Sequence, residues 1–103
     1  MGQERRVARR VKVSLPARWE GVVAAQRAEV TDLSTNGCFV LTGGKVEPRE
    51  LVRLEIDLPD KDPVYLWAEV VDAADEIGFA VRFTSSDDED QRRLADFISK
   101  MLR

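Results

Sequence analysis

The feature that most constrains the fold of this chain is a two-residue alternation of apolar and charged side chains in several short runs. In the segment LVRLEIDL the charged residues are Arg53, Glu55 and Asp57, and each is flanked by apolar residues. This period places the apolar side chains on one face of an extended strand and the charged ones on the other. The alternation therefore predicts β-strands with one face toward a core and one toward solvent.

The same alternation recurs along the chain, and turn signals separate the runs. RVKVSL, VYLWAEVV and IGFAVRF carry apolar residues at every second position, and two shorter strands are predicted around Ala28–Val30 and Cys38–Leu41. The dipeptides NG (36–37) and GG (43–44) and the segments LPDKDP and DAADEIG favour turns. Six short strands with short turns favour an antiparallel barrel or sandwich.

The C-terminal segment SSDDEDQRRLADFISKMLR has a longer period. Its spacing predicts an amphipathic α-helix over residues 86–102, capped by Ser85 or Ser86, with the acidic DDED run near the positive end of the helix dipole. We expect the apolar stripe to cover the barrel, although it could also meet a partner helix. The stripe consists of Leu94, Phe97, Ile98, Met101 and Leu102. The whole chain is predicted to be one domain, with a flexible arginine-rich arm (1–10), a barrel (11–84) and this helix.

Composition argues against several classes of function. The 103 residues include no histidine, which removes the commonest general base and the commonest metal ligand, so we expect neither an enzyme nor a metal site. The single cysteine, Cys38, cannot form an internal disulfide and is expected to pack as a small apolar residue. No apolar run approaches the roughly 20 residues that span a bilayer. We therefore expect a soluble cytoplasmic protein without membrane insertion.

The charge is distributed unevenly. The net charge is −3, but residues 1–18 carry six basic residues against Glu4, a balance of +5, so the remainder carries −8. This asymmetry predicts a small anionic partner near the N-terminus. A long nucleic acid is less favoured because the acidic body would repel it, and a nucleic-acid-binding barrel should instead show a basic sheet face studded with aromatic residues.

The first candidate motif is a cluster of four arginines at the start of the chain. An arginine fork pairs with phosphate oxygens or with the N7 and O6 edge of guanine, and its flat face stacks on a base. Taken alone, the cluster could equally be a solvated basic tail. Its members are Arg5, Arg6, Arg9 and Arg10.

The second candidate motif is TDLSTNG, in which Asp32, Ser34 and Gly37 form the pattern D-x-S-x-x-G between two predicted strands. An ionised aspartate accepts hydrogen bonds from the N1–H and N2–H groups of guanine, and a serine hydroxyl can donate or accept. Gly37 is expected to allow a positive φ and a close approach of the ligand to the backbone. Taken alone, the motif could be an ordinary hairpin turn. Together, the two motifs suit an anionic guanine nucleotide.

The order and separation of RRVARRV and DLSTNG resemble the PilZ domain family, whose signature is R-x-x-x-R followed one strand later by [D/N]-x-S-x-x-G. IGFAVRF is similar to the late strand of that family, and RRLADFISKML to its C-terminal helix. The resemblance implies a six-stranded antiparallel β-barrel that binds cyclic di-GMP, as a monomer or a stacked dimer, without a cofactor. It also implies that the arginine segment closes over the ligand and that binding regulates a partner protein.

Position by position, the resemblance implies a set of ligand-binding residues. Arg6 and Arg10 match the R-x-x-x-R pair, because Arg10 directly precedes the first predicted strand, and Arg5 matches an additional arginine that often precedes the pair. Arg5 and Arg9 have the same spacing, so the register is open by one residue. A protein-interaction domain of this fold that does not bind the nucleotide is the alternative. The implied set is Arg5, Arg6, Arg10, Asp32, Ser34 and Gly37.

Three further residues attract attention but stay outside this set. Arg18 and Trp19 lie in the first predicted strand, and Trp67 lies on the polar side of its strand. An aromatic residue there could line the ligand site, but we expect Trp67 to pack in the core or against the helix.

Overall fold

The computed structural model describes residues 9–59, 62–74 and 76–102. The described residues form six β-strands and one α-helix, and the strands close into an antiparallel barrel, which confirms the predicted fold class. The elements are β1 (Val11–Glu20), β2 (Ala25–Leu33), β3 (Gly37–Leu41), β4 (Leu51–Ile56), β5 (Val64–Ala74), β6 (Gly78–Ser85) and α1 (Asp88–Met101). Around the barrel the order is β1-β2-β3-β6-β5-β4, so β3 pairs with β6, three strands later in sequence.

The alternation of apolar and charged residues gives each strand one apolar face, and these faces line the interior of the barrel. In β4, Val52, Leu54 and Ile56 are buried, and the residues between them point away from the core. The barrel closes where β1 pairs with β4, with Ala17 opposite Ile56. Because closure leaves few unpaired strand edges, the backbone groups of the barrel are largely satisfied internally.

Trp19 lies in the core. Its side chain is 2% exposed, and its ring meets Phe79 edge to face, with ring centroids 5.1 Å apart and planes at 88°. Its indole Nε1–H donates to Thr42 Oγ1 at 3.0 Å, which satisfies the one polar group of the side chain. Trp19 therefore stabilises the barrel interior.

Strand β2 is longer than the sequence pattern predicts. The prediction placed a short strand around Ala28–Val30, whereas β2 continues to Leu33. The additional residues pair on both sides, because Asp32 lies opposite Lys12 in β1 and opposite Phe39 in β3. Asp32 is therefore held by the sheet and does not lie in a loop.

The helix begins two residues later than predicted. Asp87 is its N-cap, and the Asp87 carboxylate accepts a hydrogen bond from the backbone N–H of Asp90 at 2.8 Å, so the predicted serine cap is wrong. The acidic residues of the first turn and Lys100 in the last turn match the helix dipole, as expected. The apolar stripe is narrower than predicted, because Leu94 and Ile98 are buried whereas Met101 and Leu102 are partly exposed.

Polar contacts attach α1 to the start of β5. Asp90 Oδ2 accepts the backbone N–H of Tyr65 at 3.0 Å, and Arg93 donates to the carbonyl oxygens of Asp62 and Pro63. Burial of Leu94 and Ile98 adds about 1.5–3 kcal/mol for each side chain. Among the described residues, no helix combines the length and apolar character needed to cross a membrane.

Candidate functional site

The DLSTNG segment forms a tight turn between β2 and β3. The Ser34 backbone N–H donates to the Gly37 carbonyl oxygen at 2.9 Å. Ser34 Oγ accepts the backbone N–H groups of Asn36 at 3.1 Å and of Gly37 at 3.3 Å, and the side chain is only 4% exposed. The serine hydroxyl therefore organises the turn from within.

The same turn is attached to β6. The Asn36 carbonyl oxygen accepts the backbone N–H of Phe83 at 2.7 Å, which continues the β3–β6 pairing beyond the strand itself. A turn bonded both internally and to a neighbouring strand has few alternative conformations. It therefore offers a preorganised surface to a ligand.

The positive φ predicted for Gly37 is wrong, but the packing of β6 requires a glycine there. Its backbone does not have a positive φ, since the described residues with that conformation are Arg49, Glu76 and Gly78. A Cβ atom at Gly37 would lie 2.1 Å from the carbonyl oxygen of Val81. The glycine is needed because the β6 backbone approaches it closely.

Asp32 faces outward from β2 beside this turn. Its Oδ1 lies 3.4 Å from Lys12 Nζ, and the Asp32 side chain is 31% exposed. The pairing with Lys12 was missed by sequence reasoning because it depends on the β1–β2 register. The alternation in RVKVSL does place Lys12 on the outer face, which is the one signal that could have suggested it.

Arg10 lies at the same end of the barrel. It immediately precedes β1, and Val11, the first residue of β1, pairs with Leu33 at the end of β2. Burial raises the pKa of the Cys38 thiol far above its ordinary value, and the charge of Arg10 acts in the opposite direction. The pairing of Val11 with Leu33 places the Arg10 backbone beside the start of the turn.

The structure describes only part of the remaining arginine cluster. Arg5 and Arg6 lie outside the described residues. Arg9, the alternative in the R-x-x-x-R register, is described and exposed. Of the six implied residues, the structure thus brings four to one end of the barrel: Arg10, Asp32, Ser34 and Gly37.

A large cleft lies elsewhere on the barrel. It has a volume of about 820 Å³, and its outward-facing lining includes Arg18, Arg53, Tyr65 and Trp67. Arg18 is six residues from Lys12 along β1, which at about 3.3 Å per residue is roughly 20 Å. The cleft therefore lies toward the other end of the strands from the DLSTNG turn.

The prediction for Trp67 is wrong. The side chain is 45% exposed, and the guanidinium of Arg53 lies over its ring, with Cζ 5.8 Å from the ring centroid. Trp67 lies opposite Arg53 in the β4–β5 register, and its strand position points outward from the core. A cation–π contact on the barrel surface thus replaces the expected core or helix packing.

The acidic residues do not cluster as metal ligands within the part of the chain that the structure describes. No group of three or more Asp, Glu, Cys or His side chains there could hold a metal ion.

Comparison with known proteins identifies this arrangement at the level of family and fold. The sequence profile described as "PilZ domain" matches residues 4–100, which is nearly the whole chain. No curated protein sequence gives a significant match.

Solved structures with the same fold include three bacterial proteins. The Bacillus subtilis inhibitor of motility (MotI/DgrA) aligns with a TM-score of 0.81 at 21% identity, over 97% of this chain and 53% of that one. The PilZ domain of YcgR from Escherichia coli, solved with c-di-GMP, gives 0.77 at 15% identity over 97% and 93%. The Borreliella burgdorferi PlzA protein, solved in complex with c-di-GMP, gives 0.71 at 12% identity over 90% and 40%.

These likenesses are of fold, because all three identities are low. The chain spans about half the length of the Bacillus subtilis protein and less of the Borreliella burgdorferi protein, whereas it spans nearly all of the YcgR domain.

Proposed function

Since the chain belongs to the PilZ domain family, we propose that it binds cyclic di-GMP on the outer barrel face beside the DLSTNG turn and thereby regulates a partner protein. The observation that carries the proposal is that Arg10 lies at the same end of the barrel as the DLSTNG turn. The pairing of Val11 with Leu33 brings Arg10 beside the turn, and Asp32 is exposed on the same face. Arg10 and Asp32 come from two motifs that are each a weak signal alone. Together they offer donors for a phosphate and acceptors for a guanine.

The guanine base is assigned to Asp32. An ionised carboxylate has only acceptors, and the Watson–Crick edge of guanine offers the N1–H and N2–H donors that match it. The Asp32 side chain is anchored in β2 between two paired strands, so its carboxylate is held in place before the ligand arrives. This preorganisation lowers the entropic cost of binding.

The phosphates are assigned to the arginines. Arg10 would act together with Arg5 and Arg6, since the planar guanidinium can pair with two phosphate oxygens at once. If each charge-assisted contact contributes about 1.5–3 kcal/mol, several of them give micromolar or tighter binding after the entropic costs of association. The repulsion among neighbouring arginines would be relieved when the phosphates are bound.

Ser34 and Gly37 are assigned supporting roles. The buried Ser34 hydroxyl holds the backbone of the turn, and Gly37 allows the turn to lie against β6. In this proposal they position Asp32 and the turn backbone for the guanine. They are positioning residues for the site.

Regulation would follow from ordering of the surface around the bound ligand. A groove of about 320 Å³ is lined by Thr35 of the turn and by Gln91, Leu94 and Ala95 of α1, so a shift of the turn would change the shape of a surface that the helix shares. The partner would then recognise the surface formed by the ligand, the arginine segment and α1. As part of the same proposal, the chain acts in the bacterial cytoplasm as a receptor, with cyclic di-GMP as a ligand and no catalytic step.

Titration calorimetry tests the proposal. We expect cyclic di-GMP to bind with micromolar or tighter affinity, and GTP and cyclic di-AMP to bind far more weakly. No heat of binding with cyclic di-GMP, under conditions in which the protein is folded, would leave a barrel that acts only by binding proteins.

A further inference from the structure

The outer barrel face next to the DLSTNG turn carries three side chains that the motifs do not include. Phe39 in β3 lies opposite Asp32, and Arg82 in β6 lies opposite Gly37. Glu69 in β5 lies opposite Arg82. The neighbours of these residues along their strands point into the core, so Phe39, Arg82 and Glu69 point outward.

Arg82 is fixed in place by an ion pair. Its Nη2 donates to Glu69 Oε1, and Arg49 Nε lies 3.8 Å from the other oxygen of the same carboxylate. The Glu69 side chain is 20% exposed, whereas that of Arg82 is 59% exposed. Two guanidinium groups share one carboxylate, so this cluster presents a net positive charge with free N–H groups toward solvent.

The gap between Asp32 and Arg82 is wide enough for a purine base to lie between their side chains. Asp32 in β2 lies opposite Phe39 of β3, and Arg82 in β6 lies opposite Gly37, two residues away along β3. At about 4.8 Å per strand and about 3.3 Å per residue, their backbones are roughly 12 Å apart. Gly37 contributes no side chain to this gap, and the half-buried Phe39 lies beside it on β3. A carboxylate, an aromatic side chain and a guanidinium therefore lie near one another on the same outer face.

We infer that Arg82, held by Glu69, is a specificity-determining residue that binds the O6 and N7 edge of the guanine whose Watson–Crick edge is bound by Asp32. The inference rests on the proposed function and adds a contact outside the two sequence motifs. Guanine presents two acceptors, O6 and N7, which match two donors of the arginine fork. Adenine presents its N6 amino group there instead, which would face the guanidinium donor to donor.

The phosphate groups are the competing target for an exposed arginine. If Arg82 contacted a phosphate, its removal would weaken every cyclic dinucleotide equally, whatever the base. If it contacts the guanine edge, its removal weakens the binding of cyclic di-GMP more than that of an analogue that lacks N7 and keeps only the O6 acceptor. The two possibilities are separated by a ligand that lacks N7.

The experiment is a calorimetric cycle with two proteins and two ligands. The proteins are wild type and Arg82→Ala, and the ligands are cyclic di-GMP and its 7-deazaguanine analogue, in which N7 is replaced by a carbon. We expect Arg82→Ala to lower the affinity for cyclic di-GMP roughly 10- to 100-fold, the range of one good bidentate base contact. We also expect the wild type to bind the analogue more weakly than cyclic di-GMP, and Arg82→Ala to bind both about equally.

Arg53→Ala is the matched control. The Arg53 side chain has the same 59% exposure and an acidic partner, Glu20, at 3.7 Å, but it lies over Trp67 in the distant cleft. We expect its affinities to equal those of the wild type. The fold of Arg82→Ala should be retained, because Glu69 keeps Arg49 as its partner.

Three results would overturn the inference, and they are distinguishable. Wild-type affinity of Arg82→Ala for cyclic di-GMP would exclude a ligand contact. Arg82 would be assigned to a phosphate if Arg82→Ala lost the same affinity for both ligands and still bound cyclic di-GMP more tightly than the 7-deazaguanine analogue. Failure of the wild type to bind cyclic di-GMP would instead remove the proposed function itself, and the inference with it.

Discussion

Lys12 Nζ lies 3.4 Å from Asp32 Oδ1, so the carboxylate that we assign to guanine already has a cationic partner on the barrel surface. The Lys12 side chain is 90% exposed and that of Asp32 is 31% exposed. Ion pairs this accessible to solvent are worth about 0–1 kcal/mol. Lys12 can therefore leave Asp32 at little cost when a ligand supplies better-aligned donors.

The two members of this ion pair should respond differently to substitution. Asp32→Ala removes the acceptor of two guanine donors, and we expect cyclic di-GMP affinity to fall at least tenfold, by about 1.5–3 kcal/mol. Lys12→Ala removes only a displaceable partner, and we expect less than a fivefold change. Calorimetry on both variants measures the difference. Equal losses would assign Lys12 to the ligand and remove the basis for a special role of Asp32.

Gly37→Ala should destabilise the barrel itself. The added Cβ would lie 2.1 Å from the Val81 carbonyl oxygen, so β3 and β6 would have to move apart. We expect a loss of about 2–4 kcal/mol, which for a domain of this size lowers Tm by roughly 10 °C or more. Gly43→Ala is the control, because a Cβ there meets nothing within 4 Å. Similar melting temperatures for the two variants in thermal denaturation would contradict the close approach of the strands.

Ser34→Ala should affect stability and binding together. The variant removes the acceptor of the partly buried backbone N–H of Asn36 and of the buried backbone N–H of Gly37, at a cost of about 1–3 kcal/mol. Thr35→Ala changes the neighbouring exposed hydroxyl and should be close to neutral in stability. Chemical denaturation and calorimetry check both effects. A stable Ser34→Ala variant with weakened binding would indicate that the hydroxyl contacts the ligand directly.

Cys38 should be unreactive in the folded protein. Burial raises the pKa of its thiol, so the thiolate is disfavoured in the native state at neutral and moderately alkaline pH. The unfolded thiol has an ordinary pKa of about 8.5, so this contribution to stability is complete below that pH and declines as the pH rises above it. We expect negligible iodoacetamide labelling at pH 9 without denaturant and rapid labelling in denaturant. Rapid labelling of the native protein would place Cys38 at the surface.

The fold could be predicted because its causes are local. The alternation in LVRLEIDL and the three- and four-residue spacing of the C-terminal stripe each specify one buried face, and both faces are found, although only Leu94 and Ile98 of the helical stripe are buried. The N-cap was misassigned because serine and aspartate are both good caps. The choice depends on where the chain leaves β6, and Ser85 is still part of that strand.

For the candidate site, the sequence alone could predict the two motifs but not the contacts that depend on strand pairing. The role of Gly37 and the position of Arg82 both depend on the pairing of β3 with β6, two strands that are distant in sequence. Trp67 was misassigned for a related reason. Its strand position was visible in the sequence, but the arginine that covers its outer face comes from β4 through the strand register.

The central claim, that the arginine segment and the DLSTNG turn form one cyclic di-GMP site, is tested most directly by an NMR titration of the ¹⁵N-labelled chain. With cyclic di-GMP, we predict saturable amide shifts at Arg10, Asp32 and the turn from Ser34 to Gly37, with Arg53 and Trp67 in the distant cleft unchanged. Unmoved signals at both motifs in millimolar ligand, or shifts confined to that cleft, would contradict the account.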